Sequence, residues 1–77
     1  MGQIDRHVGA IGDLENAVVF GIVSRGPNVV VQIRAGKPSA TGKRDIVVEL
    51  DREGYAALKA VLDGVDDALR GLGRLWA

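Results

Sequence analysis

Arg44-Asp45-Ile46-Val47-Val48-Glu49-Leu50-Asp51-Arg52-Glu53-Gly54-Tyr55-Ala56-Ala57-Leu58-Lys59 changes its apolar period partway along. In the first half Ile46, Val48 and Leu50 alternate with Val47 and Glu49, the two-residue period of a strand that buries one face. From Tyr55 the period becomes helical. Apolar residues fall at Tyr55, Leu58, Leu62, Val65, Leu69, Leu72 and Trp76, in steps of three, four, three, four, three and four. That is an unbroken heptad-type stripe. Asp51 stands at the junction as an N-cap, with Glu53 near the positive end of the helix dipole. The pattern predicts a strand over 44–50 and a helix from about Arg52 to Gly71 or a little beyond. Gly64, in mid-helix, lowers helix propensity by about 1 kcal/mol relative to Ala. It marks a bend or the close approach of another helix.

Working upstream, Val29-Val30-Val31-Gln32-Ile33-Arg34 and Ala17-Val18-Val19-Phe20-Gly21-Ile22-Val23-Ser24 are β-branched and aromatic runs suited to a pleated surface. Arg25-Gly26-Pro27-Asn28 between them is turn chemistry, so the two runs form a β-hairpin. Ala35 to Lys43 contains Gly36, Pro38, Ser39, Thr41 and Gly42 and reads as a flexible loop. Gln3 to Ile11 is a weaker strand, with Gly9 inside it, and Gly12-Asp13-Leu14-Glu15-Asn16 is a turn.

The chain has 77 residues, no cysteine, a hydrophobic content of 47% and a formal net charge of zero. The hydrophobic content excludes intrinsic disorder. No apolar run reaches the ~18–20 residues that span a bilayer. Met1-Gly2-Gln3-Ile4-Asp5-Arg6 lacks the basic and apolar regions of a secretory signal. Arg6 at the sixth position also argues against myristoylation at Gly2. Without cysteine there are no disulfides, thiolate zinc sites or cysteine nucleophiles. The expectation is one cytoplasmic domain over residues 1–77, with association with the nucleoid left open. A chain this short buries only roughly 60% of its unfolded surface and needs a staple. Disulfides are impossible and a lone imidazole, His7, makes a metal improbable, so self-association is the remaining route. Ala57, Val61, Ala68 and Leu75 widen the helical stripe beyond what one small sheet can cover. A second copy of the helix is the economical partner, giving a two-fold dimer through Leu62, Val65, Leu69, Leu72 and Trp76. The simpler alternative is a helix packed on its own sheet and frayed after Gly71.

Zero net charge conceals an asymmetry. Between Arg25 and Arg44 lie five basic residues, Arg25, Arg34, Lys37, Lys43 and Arg44, and no acid. A sheet-and-loop half that is locally basic is a footprint for a polyanion, although solvated loop charges have the same composition. Aromatic residues for base stacking are few: Phe20, Tyr55 and Trp76.

Two motifs fail on spacing. Gly36 to Lys43 has five residues between its glycines, Arg44 where Ser or Thr should meet magnesium, and a strand behind it, so it is not a phosphate loop. Asp63-Gly64-Val65-Asp66-Asp67 lies within the helical period and lacks EF-hand spacing. Ser24 and Ser39 sit in turn contexts where local backbone bonding is their ordinary role. No catalytic constellation remains, and the chain is not expected to be an enzyme or to hold a cofactor or metal.

Val31-Gln32-Ile33-Arg34, a basic loop and Ile46-Val47-Val48-Glu49-Leu50 together resemble the C-terminal domain of the positive cofactor four family of transcriptional coactivators. Tyr55-Ala56-Ala57-Leu58-Lys59 looks like that family's aromatic-x-x-Leu-Lys element. Val65-Asp66-Asp67-Ala68-Leu69-Arg70-Gly71-Leu72 looks like its closing hydrophobic-Asp-Asp-Ala-hydrophobic-Arg-x-Leu signature. Ile11-Gly12-Asp13-Leu14 resembles the first-strand exit of bacterial members, so the resemblance spans roughly residues 8 to 72 and points to a bacterial or phage-like member.

The resemblance implies an α+β fold, ββββα: a four-stranded antiparallel sheet followed by one long C-terminal helix, dimeric through the helices. It also implies a homodimer that holds single-stranded DNA, with RNA as an open alternative, and that works with the transcription machinery as a coactivator or regulator. Arg34 matches a DNA-contact arginine of the family most directly; Lys43 and Arg44 match loosely because the loop is shorter. Arg25 falls where the family has a basic-aromatic pair, and here the aromatic is missing. The face opposite the helix would show Val19, Gly21, Val23, Val30, Gln32 and Arg34. That valine-rich face supports a second expectation, a protein-interaction module that keeps the fold and binds nucleic acid weakly or not at all.

Overall fold

The computed structural model describes residues 3–13 and 15–73. Strands β1 (Asp5–Ile11), β2 (Val18–Arg25), β3 (Asn28–Pro38) and β4 (Arg44–Leu50) are followed by one helix, α1 (Arg52–Leu72). The strands form one sheet in chain order, each antiparallel to the next. The expected ββββα architecture is therefore present.

Local chemistry sets each junction. Asp13 accepts the Asn16 N–H at both its carboxylate (3.1 Å) and its carbonyl oxygen (3.2 Å), turning the chain from β1 into β2. Leu14, within the turn expected from sequence, lies outside the described residues. The β2–β3 hairpin closes on two residues, Gly26 and Pro27. Gly26 has φ +59° and Pro27 a fixed negative φ, the order that a type II′ turn requires.

β3 is longer than the sequence suggested. Ala35 to Pro38, expected in a loop, continues the strand, with an irregularity in register between Ala35 and Pro38. Gly36, at φ +92°, supplies the backbone freedom this bulge needs. The Arg44 guanidinium donates to the Gly36 carbonyl oxygen at 2.7 Å and ties the bulge to the start of β4. The loop proper shrinks to Ser39–Lys43, closed by Ser39 N–H on the Lys43 carbonyl (2.7 Å) and Gly42 N–H on the Ser39 carbonyl (2.9 Å).

Asp51 caps α1 as expected, its carboxylate accepting the Gly54 N–H at 2.8 Å. Gly73, left-handed at φ 63°, ends the helix and donates to the Arg70 carbonyl oxygen. Leu75 and Trp76, expected to extend the apolar stripe, lie outside the described residues.

Strand register sorts the side chains onto two unlike faces. Val18, Phe20 and Ile22, with Val31, Ile33 and Ala35 and with Ile46, Val48 and Leu50, share one largely apolar face, with Ser24 following Ile22 at its hairpin end. Val19, Gly21 and Val23, with Val30, Gln32 and Arg34 and with Val47 and Glu49, share the other.

The apolar face is not covered by its own helix. No described residue of α1 is buried, and among the described residues the buried hydrophobic ones are Ala17 and, on the other face, Val23. Ile46 and Val48 on the sheet, and Tyr55, Leu62, Val65 and Leu72 on the helical stripe, are all exposed. The dimensions agree. The radius of gyration is 15.3 Å, against about 11–12 Å for a compact chain of this length. The accessible surface is 6544 Å², against about 4,500 Å² for a compact monomer of this mass. The excess, on the order of 2,000 Å² per chain, is of the size that obligate dimers bury.

Candidate nucleic-acid interface

Arg34 occupies a lateral row on the mixed face. Its Cα pairs with Val19 on β2 and Val47 on β4, and Ala10 of β1 lies beyond Val19. Small and apolar neighbours on both sides leave the half-buried guanidinium stem supported and its head as the polar element of that row.

The next row toward the hairpin is His7, Gly21, Gln32 and Glu49. Gly21 is required there. A Cβ at this position would lie 2.9 Å from the Arg6 carbonyl oxygen, where β1 shifts register between His7 and Gly9. Glycine thus lets β1 approach β2 and leaves a gap in the middle of the row.

Glu49 and Arg25 each make three side-chain hydrogen bonds on this face. Arg25 Nε donates to Glu49 Oε1 at 2.8 Å, and the Arg25 Nη2 group donates to Oε2. Gln32 Nε2 donates to the same Oε2 at 3.1 Å. Arg25 Nη1 also donates to the Ser24 carbonyl oxygen at 2.7 Å, which fixes the guanidinium plane. The hydrogen bond from Arg25, then that from Gln32, hold the Glu49 carboxyl below the usual carboxylate range. Between Arg25, Gln32, Asp5 and Val23 lies a shallow hollow of about 290 Å³.

The five basic residues singled out from sequence divide into two groups. Arg34, Lys37, Lys43 and Arg44 belong to the outer half of β3, the Ser39–Lys43 loop and the start of β4, at one end of the sheet. Lys37 and Lys43 are exposed, whereas Arg44 is half-buried with its guanidinium on Gly36. Arg25 is at the other end, opposite Asn28 beside the hairpin turn. Arg34 lies six residue steps along β3 from Asn28, roughly 20 Å of strand.

Sequence reasoning did not place Glu49 in the site. The signal was available, because alternation already set Glu49 on the face of Val47. Its pairing with Arg25 across β3 needs the strand register, which no local pattern supplies. Phe20 lies on the apolar face and Tyr55 on the helix, where Lys59 sits 5.2 Å from the ring centroid. Among the described residues, the mixed face therefore carries no Phe, Tyr or Trp, and its aromatic ring is the imidazole of His7 on β1. No described helix is long and apolar enough to cross a membrane, and the described residues contain no cluster of three or more metal-ligating side chains.

The chain matches no protein-family profile, no curated protein and no solved structure.

Proposed function

We propose that the chain is a homodimeric, sequence-tolerant single-stranded DNA-binding protein of the positive cofactor four type, acting in the cytoplasm as a transcriptional coactivator or regulator. The observation that carries this reading is the division of the sheet. One face is largely apolar across β2–β4 and left open by its own helix, whose stripe is also open. Two such surfaces per chain are closed at once when a second copy packs against them, and the mixed face then remains for a ligand. Arg34 lies on that face, and Lys37, Lys43 and Arg44 sit at the neighbouring end, supplying charge for a phosphate backbone. With no Phe, Tyr or Trp on the face, base contact falls to Gln32, to the accessible valines Val19, Val30 and Val47, and to the flat guanidinium of Arg34. That predicts modest affinity and little sequence preference.

A second reading, a protein-interaction module on the same fold, is favoured by one observation. Arg25 is already neutralised by Glu49 beside Val23 and Val30. Titration of fluorescent oligonucleotides at two salt concentrations separates the readings. Single-stranded DNA bound more tightly than duplex, and less tightly at high salt, supports the first. Negligible binding to both supports the second. RNA oligonucleotides of the same sequence test the nucleic-acid preference.

A further inference from the structure

We infer that Glu49 is a built-in competitor for phosphate: it occupies Arg25 and thereby limits how many phosphates the mixed face neutralises. This rests on the nucleic-acid reading above and adds a residue that sets its affinity. Arg25 and Glu49 meet in a two-pronged, fork-to-fork geometry, the same geometry by which an arginine takes a phosphate. The carboxylate thus stands where a phosphate oxygen pair would stand. Gln32, from the strand between them, donates to the same carboxylate and holds it in place.

The pair is not a core element. Both side chains are partly solvent-exposed, 51% for Arg25 and 30% for Glu49, where an ion pair contributes little to stability. A phosphate arriving at Arg25 must displace Glu49 and leave that carboxylate facing the backbone. Of the neighbouring acids, Asp51 caps α1, while Asp5, on β1 opposite Val23, lines the hollow beside Arg25 and Gln32 with no hydrogen bond to either among those described. His7 is in the row of Glu49 but on the far side of Gly21 and Gln32.

The consequence is measurable as a salt slope. Each phosphate neutralised on a single strand contributes about 0.7 to the fall of log K with log[salt]. Oligothymidylate titrations over a salt series, on wild type, Glu49→Gln, Arg25→Ala and the double variant, test the inference. Glu49→Gln frees Arg25 and steepens the slope by about 0.7, which is about a fivefold change in relative affinity per decade of salt. Arg25→Ala in the wild-type background leaves the slope unchanged, and in the Glu49→Gln background it returns the slope to the wild-type value. A wild-type slope that already drops by about 0.7 on Arg25→Ala overturns the inference while leaving the nucleic-acid reading intact. So does a Glu49→Gln slope equal to that of wild type. Absence of binding by both wild type and Glu49→Gln overturns the reading itself and the inference with it. Should Glu49→Gln fail to fold by circular dichroism, the Arg25→Ala arm alone still decides.

Discussion

Arg25 and Glu49, 24 residues apart in the chain, are joined across β3 by two hydrogen bonds, one of them Nε to Oε1 at 2.8 Å. The contact makes stability depend on pH through Glu49. Because the folded-state pKa of Glu49 lies below its unfolded value, the pair adds stability above the unfolded pKa. That contribution is lost as pH falls through the lower, folded value. The urea midpoint of Glu49→Gln should therefore differ most from that of wild type near neutral pH, and the two should converge in acid. A difference that stays constant from neutral pH to below the carboxylate range would contradict the pairing.

Gly21→Ala places a methyl 2.9 Å from the Arg6 carbonyl oxygen, an atom of the backbone that cannot swing aside. β1 must move outward from β2, and overpacking of this kind costs about 1–3 kcal/mol. Urea unfolding reads the loss. An unchanged midpoint would mean that β1 is not seated at this register.

Gly64→Ala acts in the other direction. A Cβ there meets nothing within 4 Å, and alanine raises helix propensity by about 1 kcal/mol. The melting temperature at fixed protomer concentration should rise by roughly 4–8 °C. A fall would show that another helix approaches α1 at Gly64.

Arg34→Ala should weaken single-stranded DNA binding at low salt and reduce the salt slope by about 0.7. Duplex binding should not follow. An unchanged slope would remove Arg34 from the phosphate path.

The helix was legible because its signals are local. Asp51, the three-four stripe and the glycines after Leu69 sit within a few residues of the positions they control. The faces of β2, β3 and β4 were legible for the same reason, since alternation sets Val19, Gly21 and Val23 apart from Val18, Phe20 and Ile22 without knowledge of any partner strand. The strand status of Ala35 to Pro38 was not legible. Gly36 and Pro38 are turn residues by local chemistry, and a cross-strand bond from Arg44 to Gly36 overrides that preference. The division of the basic residues was hidden too. Arg25 and Arg34 are near in sequence, but the hairpin sends them to opposite ends of one face. The neutralisation of Arg25 by Glu49 depends on a register spanning three strands.

Completion of the fold by a second copy is the claim on which the open apolar face, the open helical stripe and the free mixed face all converge. Light scattering coupled to size exclusion, at micromolar protomer concentration, tests it most directly. Wild type should elute as a single species of twice the 8.1 kDa chain mass, and Leu69→Asp, on the helical stripe, should lose that species. A folded wild-type chain running at the single-chain mass, with its sheet and helix intact by circular dichroism, would contradict it.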